Sequence, residues 1–129
     1  MTDSVKTFVL ALMIFSQNLN AENWVELVRA NDGSVVFYIE TETAKKQKNL
    51  VYAWTLVDML VPVGGTLSSK VYTEYDCEKD RRRVLAAMLY KENMGQGDSN
   101  YFNSKEEWTY LIPGSLDRGV FDFVCSYFD

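Results

Sequence analysis

Residues 115–128 read SLDRGVFDFVCSYF and have the pattern of one amphipathic helix. The Pro113-Gly114 pair stops the element before it, and Ser115 is well placed as the N-cap residue. Asp117 falls in the first turn, where its charge complements the helix dipole. The apolar residues lie at four-residue steps on two adjoining strips: Leu116, Val120 and Val124, then Phe121 and Cys125. The sequence therefore predicts a terminal helix that carries Cys125 on its apolar side.

The other end of the chain has the features of a secretory signal peptide. An unbroken apolar run at residues 8–15 follows Lys6. It is far shorter than the ~20 residues that a membrane-spanning helix needs, but it fits the ~7 to 15 of a signal. We predict cleavage after Ala21, which leaves residues 22–129 as one domain; a buried N-terminal helix is the alternative. No cysteine lies near Ala21, so no lipid anchor is expected.

Export determines how the two cysteines are interpreted. In an oxidising compartment, two cysteines in a small chain most simply form one disulfide, and Cys77 with Cys125 is the only available pair. The bond would close a loop of 48 positions, which the chain-entropy model values at about 4 kcal/mol. Two reduced, buried thiols are the alternative if the signal prediction is wrong.

The mature chain reads mainly as β-structure. Two segments rich in β-branched and aromatic residues, 24–30 and 34–40, flank the turn sequence Asn31-Asp32-Gly33 and indicate a hairpin. Residues 50–59 alternate as a strand, with Tyr52 and Trp54 on one face and Ala53 and Thr55 on the other.

The remaining segments are less regular. Residues 69–76 alternate as a further strand, and one more is expected at residues 108–112. The lysine-bearing segment 41–49 is interpreted as a polar connection. In residues 79–93 the local pattern favours a helix, because Val84, Leu85, Met88 and Leu89 recur at helical spacing beside two alanines.

Composition excludes several classes of function. The net charge of −5 argues against nucleic acid or an anionic membrane as the principal partner. With no histidine and two cysteines, the chain cannot build a Ser/His/Asp or Cys/His catalytic centre or a thiolate and imidazole zinc site.

The carboxylates Glu74, Asp76, Glu106 and Glu107 are the remaining candidates for acid–base chemistry. Glu74 and Asp76 share a strand face, but an ordinary solvent-exposed edge has the same spacing. The one dense basic run lies at residues 79–83. It is interpreted as a solvated strand start, or as arginines paired with Glu74, Asp76 or Asp80, rather than as an anion site.

Aromatic side chains exceed what a core of this size requires. Exposed Tyr or Trp on a sheet commonly binds protein or glycan surfaces. The candidate binding face consists of Tyr72, Tyr75, Trp108 and Tyr110. The alternative is that most of the aromatic side chains belong to the core.

The second half of the chain resembles the surface-adhesin protein E family. The residues that carry the resemblance are Glu74-Tyr75-Asp76-Cys77, Arg81-x-Arg83, Tyr90, Met94-Gly95-x-Gly97, Trp108, Ile112-Pro113-Gly114-Ser115 and Cys125, and Trp24 and Trp54 extend it. The resemblance implies an α+β, mainly β fold, with a single curved antiparallel sheet of about six strands packed against a C-terminal helix tethered by one disulfide. It also implies a strand, not a helix, for residues 81–90.

The resemblance further implies non-enzymatic binding of host extracellular-matrix and plasma proteins, by molecules that can pair as homodimers. We therefore expect an exported binding protein, periplasmic or secreted and associated with the cell surface. Its partner would be a protein or peptide of the cell envelope or extracellular matrix. No cofactor, metal, nucleic acid or membrane insertion after signal cleavage is expected. The alternative is a small periplasmic enzyme or enzyme inhibitor that uses the four carboxylates.

Overall fold

The computed structural model describes residues 23–103 and 106–128, so the predicted signal peptide lies outside the described residues. Within these ranges the chain forms seven strands, a short 3-10 turn and one helix. The strands are β1 (Trp24–Arg29), β2 (Val35–Gln47), β3 (Leu50–Val63), β4 (Thr66–Asp76), β5 (Arg81–Tyr90), β6 (Ser99–Phe102) and β7 (Thr109–Tyr110); the 3-10 turn is Asn93–Gly95 and the helix is α1 (Leu116–Tyr127).

The strands form one antiparallel sheet in the order β1-β2-β3-β4-β5-β6, and β7 pairs with the start of β5. Short turns join successive strands, and the predicted turn at Gly33 places that residue at a φ of 74°, which glycine adopts without steric cost. The mainly β fold and the β1–β2 hairpin are therefore confirmed.

β5 is a strand along its whole length, so the helix favoured by the local pattern of residues 79–93 is wrong and the strand implied by the family resemblance is confirmed. β5 pairs with β4 from Arg81 to Tyr90 and with β6 on its other side. Neighbouring strands on both sides supply backbone hydrogen bonds that an isolated segment lacks, so sheet context overrides the helical spacing.

Two further boundaries differ from the sequence prediction. The expected polar connection at residues 41–49 is largely strand, because β2 continues to Gln47 past an irregularity between Glu40 and Lys45. The strand expected at residues 108–112 is reduced to Thr109–Tyr110, and β6 was not predicted. β6 has only four residues and all are exposed. It therefore lacks the alternation of buried apolar and exposed polar residues by which a strand is recognised in sequence.

The helix α1 packs on one side of the sheet, called here the covered face. The Ser115 hydroxyl accepts a hydrogen bond from the Arg118 N–H at 3.1 Å, as an N-cap does. The helix buries Val120, Phe121 and Val124. They pack with residues of β2, β3 and β4, namely Ile39, Val51, Ala53 and Tyr75.

The disulfide between Cys77 and Cys125 is present, with 5.7 Å between the Cα atoms. Cys77 directly follows β4, and Cys125 lies near the end of α1. The bond therefore fastens the helix to the sheet, which confirms the prediction made from the two cysteines. The opposite side of the sheet, called the open face, carries Tyr52, Trp54, Tyr72 and Glu74. No described α-helix packs there, but the 3-10 turn contacts one end of this face, where the Gly95 N–H donates to the Ser68 hydroxyl at 2.9 Å.

Candidate functional site

Aromatic and charged side chains run across the open face in rows, because strand register places residues of different strands opposite one another. One row consists of Trp24, Glu40, Trp54 and Tyr72. The next row consists of Lys45, Tyr52, Glu74 and Arg83. These residues are far apart in sequence, and the antiparallel pairing brings them together.

The first row opens into a groove of about 470 Å³. The rings of Trp54 and Tyr72 lie 5.1 Å apart beside it. The amino group of Lys70 lies 5.8 Å from the Trp24 ring and 5.3 Å from the Tyr90 ring, within cation–π range of both. The residues that line the groove are Asn23, Trp24, Glu40, Glu42, Thr43, Trp54, Lys70, Met88 and Tyr90.

The irregularity in β2 forms the polar rim of the groove. The Glu40 carboxylate accepts hydrogen bonds from the N–H groups of Glu42 at 2.6 Å and Thr43 at 3.1 Å, and from the Thr43 hydroxyl. Asn23 donates to the Glu42 carboxylate at 3.0 Å. The rim is thus held by local hydrogen bonds, which fixes its shape before any ligand arrives.

A buried carboxylate stands next to the groove in the second row. Glu74 is 5% exposed; it accepts a hydrogen bond from the Tyr52 hydroxyl at 2.6 Å and pairs with Arg83 at 2.5 Å. The hydrogen bond to Glu74, with burial and the carboxylate charge, raises the pKa of Tyr52 to about 12. The negative charge of Glu74 is therefore balanced within the sheet by the guanidinium of Arg83.

The ring of Trp108 contacts two arginines of β5 on the open face. The ring is 4.2 Å from the Arg81 guanidinium carbon and 4.1 Å from that of Arg83. Arg81 also pairs with Asp76 at 3.0 Å. The predicted pairing of the basic run with Glu74 and Asp76 is thereby observed.

The four predicted binding residues do not form one surface. Tyr72 and Trp108 lie on the open face, and Tyr110, which is 67% exposed on β7, lies on the same side opposite Arg81. Tyr75 lies on the covered face, is 3% exposed and packs against Phe121 with ring centroids 6.2 Å apart. It points away from Tyr72 because the two lie on opposite sides of the same strand. Burial raises the pKa of Tyr75 to about 12.

The sequence reasoning missed most of the groove. Trp24, Trp54, Lys70 and Tyr90 come from four different strands, so no local motif links them. The alternation of β3 already placed Trp54 on the correct face. The missing information was strand register, together with the irregularity that shapes the rim.

The candidate catalytic carboxylates are not assembled as an acid–base pair. Glu74 and Asp76 are buried on a central strand and not on a solvent-exposed edge, and an arginine neutralises each. Glu106 and Glu107 are exposed in the segment before β7. Among residues 23–103 and 106–128 there is no group of three or more acidic or cysteine residues that could hold a metal ion.

The family model of surface-adhesin protein E matches residues 24–126 of the sequence. The chain belongs to the surface-adhesin protein E family. Membership in this family implies an exported, surface-associated, adhesin-like protein. Within the described part of the chain, no helix has the length and apolar character needed to cross a membrane.

Solved structures of protein E from Haemophilus influenzae have the same fold. Crystal form II matches with a TM-score of 0.62 at 17% identity, over 83% of this chain and 90% of that one. A second structure matches with a TM-score of 0.60 at 16% identity, over 83% of this chain and 86% of that one. At such identities the likeness establishes the fold alone. No curated protein matches the sequence significantly.

Proposed function

We propose that this adhesin-like protein is a non-enzymatic binding protein whose open-face groove receives a segment of a protein or peptide partner. The partner belongs to the cell envelope or the extracellular matrix. The observation that carries the proposal is the groove itself, a cleft of about 470 Å³ with aromatic walls on the face opposite α1. Aromatic residues in such clefts are the usual anchors of protein interfaces.

The electrostatics of the groove support binding rather than catalysis. The carboxylate of Glu40 at the rim accepts backbone hydrogen bonds, and Glu74 behind it is paired with Arg83. Both are held by internal partners. The alternative of a carboxylate enzyme or inhibitor has no observation in its favour among the described residues.

The test measures binding of the purified protein to a panel of extracellular-matrix proteins and to envelope proteins, with two groove variants and one control. Trp54→Ala removes an aromatic wall, and Thr43→Arg places a long side chain at the exposed rim. Both should weaken binding by about thirtyfold, the effect of losing a central anchor. Tyr110→Ala, a change at an exposed residue outside the groove, should leave it unchanged.

Two results would contradict the proposal. One is the absence of saturable binding to every protein tested. The other is full binding by both groove variants while their far-UV spectrum and unfolding midpoint match the parent. Thr43→Arg guards against misfolding as an explanation, because it removes no buried side chain.

A homodimer, periplasmic or secreted location and the absence of a lipid anchor belong to the same proposal. Sedimentation across a range of protein concentrations tests the dimer. The intact mass of the exported protein, with and without reductant, reports cleavage, lipid and the disulfide together.

A further inference from the structure

The hairpin of β3 and β4 extends past the rest of the sheet. The pairing of β2 with β3 ends at Val35 opposite Met59, and the pairing of β5 with β4 ends at Ser68 opposite Tyr90. Residues 60–67 therefore project as a hairpin arm in which Val63 pairs with Thr66. Its base is tied by the Leu60 N–H, which donates to the Ser34 carbonyl at 2.9 Å, and no described strand pairs with it on either side. The turn at its tip is a pair of glycines, both with positive φ.

The arm is apolar and exposed. Leu60, Val61 and Val63 are 71%, 68% and 67% exposed. The sequence has no charged residue between Asp58 and Lys70. A protruding apolar hairpin is a liability in water, because it invites association, and in a native protein it marks an interaction site.

The geometry of the arm favours contact with a lipid bilayer over contact with a flat protein surface. Leu60, Val61 and Val63 lie within or beside the irregularity in the β3–β4 register between Asp58 and Val63, and all three side chains are exposed. A rigid protein surface would have to match this irregular backbone to cover them, whereas the interfacial layer of a bilayer surrounds a projecting arm on every side. Pro62 has no N–H group, which removes one donor that lipid could not satisfy.

A cation at the tip complements the phosphate layer of a membrane. The amino group of Lys91 lies beside Gly65, 3.7 Å from the position that a Cβ atom would take there. A lysine that extends along an apolar surface with its charge at the end is suited to the boundary between acyl chains and phosphates. From these observations we propose that the arm, residues 60–67, inserts shallowly into the interfacial layer of a phospholipid bilayer.

This proposal goes beyond the groove and its partner, and it departs from the sequence expectation of no membrane insertion. That expectation rested on the absence of a long apolar run and on the net charge of −5. Shallow insertion of a hairpin needs neither a spanning segment nor a basic surface, because apolar burial supplies the free energy. Partitioning should therefore not weaken as salt concentration rises, unlike binding driven by charge.

The test is cosedimentation of the purified protein with vesicles of equal parts phosphatidylcholine and phosphatidylethanolamine. The arm variant Leu60→Gln/Val61→Thr/Val63→Thr should lose at least about tenfold in partition coefficient. The control Ile112→Thr changes a side chain that is 71% exposed near the opposite end of β5. It should partition as the parent does. All proteins come from the same exported preparation, so any apolar leader is common to them.

A fluorescence measurement gives an independent readout. In the difference emission spectrum, Val61→Trp should shift to shorter wavelength on addition of vesicles, and Ile112→Trp should not. The proposal is overturned if the parent does not partition, if the arm variant partitions equally, or if the Val61→Trp emission is unchanged. Vesicle-free dimers that dissociate in the arm variant, without vesicle binding by the parent, would assign the arm to a second copy of the chain instead.

Discussion

The two faces of the sheet are filled in opposite ways. On the covered face, Val51 and Ala53 have no exposed surface, and they pack with the helix under a disulfide. On the open face, the buried charge of Glu74 is balanced by Arg83 and the aromatic rings remain partly accessible. The difference indicates that apolar burial and one covalent bond stabilise the fold from one side. The open face, which contributes less to this stabilisation, holds aromatic rings and charged groups in fixed positions.

The largest expected effect is on the covered face, where the double variant Cys77→Ala/Cys125→Ala removes the bond without leaving a free thiol. Loss of a crosslink across 48 positions should lower the free energy of unfolding by about 4 kcal/mol in the chain-entropy model. Urea unfolding of parent and variant measures it. A loss below about 1 kcal/mol would mean that helix packing alone holds the covered face.

On the open face, breaking the buried ion pair should cost less, but still more than breaking a surface pair. Glu74→Gln leaves Arg83 without its partner in a site where the carboxylate side chain is only 7% exposed. We expect a loss of about 2 kcal/mol. The matched control is Glu26→Gln, because the Glu26–Arg29 pair has side chains 44% and 51% exposed, and it should leave the free energy of unfolding nearly unchanged.

The single variants Glu74→Gln and Arg83→Gln and the double variant Glu74→Gln/Arg83→Gln together form a double-mutant cycle. A coupling energy near zero would show that the two charges are stabilised independently. The open face would then resemble an ordinary polar surface, and the contrast between the two faces would weaken.

The covered face was the more predictable of the two from sequence. The four-residue spacing of Val120 and Val124, the cap at Ser115 and the single cysteine pair each follow from local rules. The groove could not be predicted in this way, since Trp24 and Tyr90 meet only through the register of five strands. The alternation of residues along β3 predicted the face on which Trp54 lies, but nothing in the sequence predicted the irregularity in β2 after Glu40.

The covered face also explains a glycine that is unfavourable for helix formation. A Cβ atom at Gly119 would lie 2.9 Å from Cγ1 of Val28, so the helix approaches β1 closely only because no side chain is present. Gly119→Ala should gain about 1 kcal/mol of helix propensity and lose more to the clash, for a net loss of about 1 kcal/mol. Chemical unfolding of the parent and the variant measures whether the free energy of unfolding falls or rises.

Ser126→Ala at an exposed position of the same helix is the control. It should gain a few tenths of a kcal/mol, because propensity acts there without a contact. A stabilised Gly119→Ala variant would show that the helix can move away from β1 at little cost.

The smallest effect at neutral pH is expected for Tyr52→Phe, which removes one hydrogen bond to Glu74 on the open face and should cost about 0.5 kcal/mol. The loss of the hydroxyl also changes how stability depends on pH in the alkaline range. The pKa of Tyr52 is raised to about 12 in the folded protein, against about 10 in an unfolded chain. The folded state therefore binds the proton more tightly, and this contribution is complete below pH 10 and is lost as the pH rises toward 12.

The parent should thus lose stability over this interval more steeply than Tyr52→Phe, as measured by urea unfolding at increasing pH. Burial also raises the pKa of Tyr75 to about 12. Because Tyr75 is present in both proteins, the Tyr52→Phe variant should still lose some stability as the pH rises. Parallel curves for parent and variant would show that the Tyr52 hydroxyl is not held by Glu74. The ordered charge network of the open face would then lose one of its members, while the covered face stayed as described.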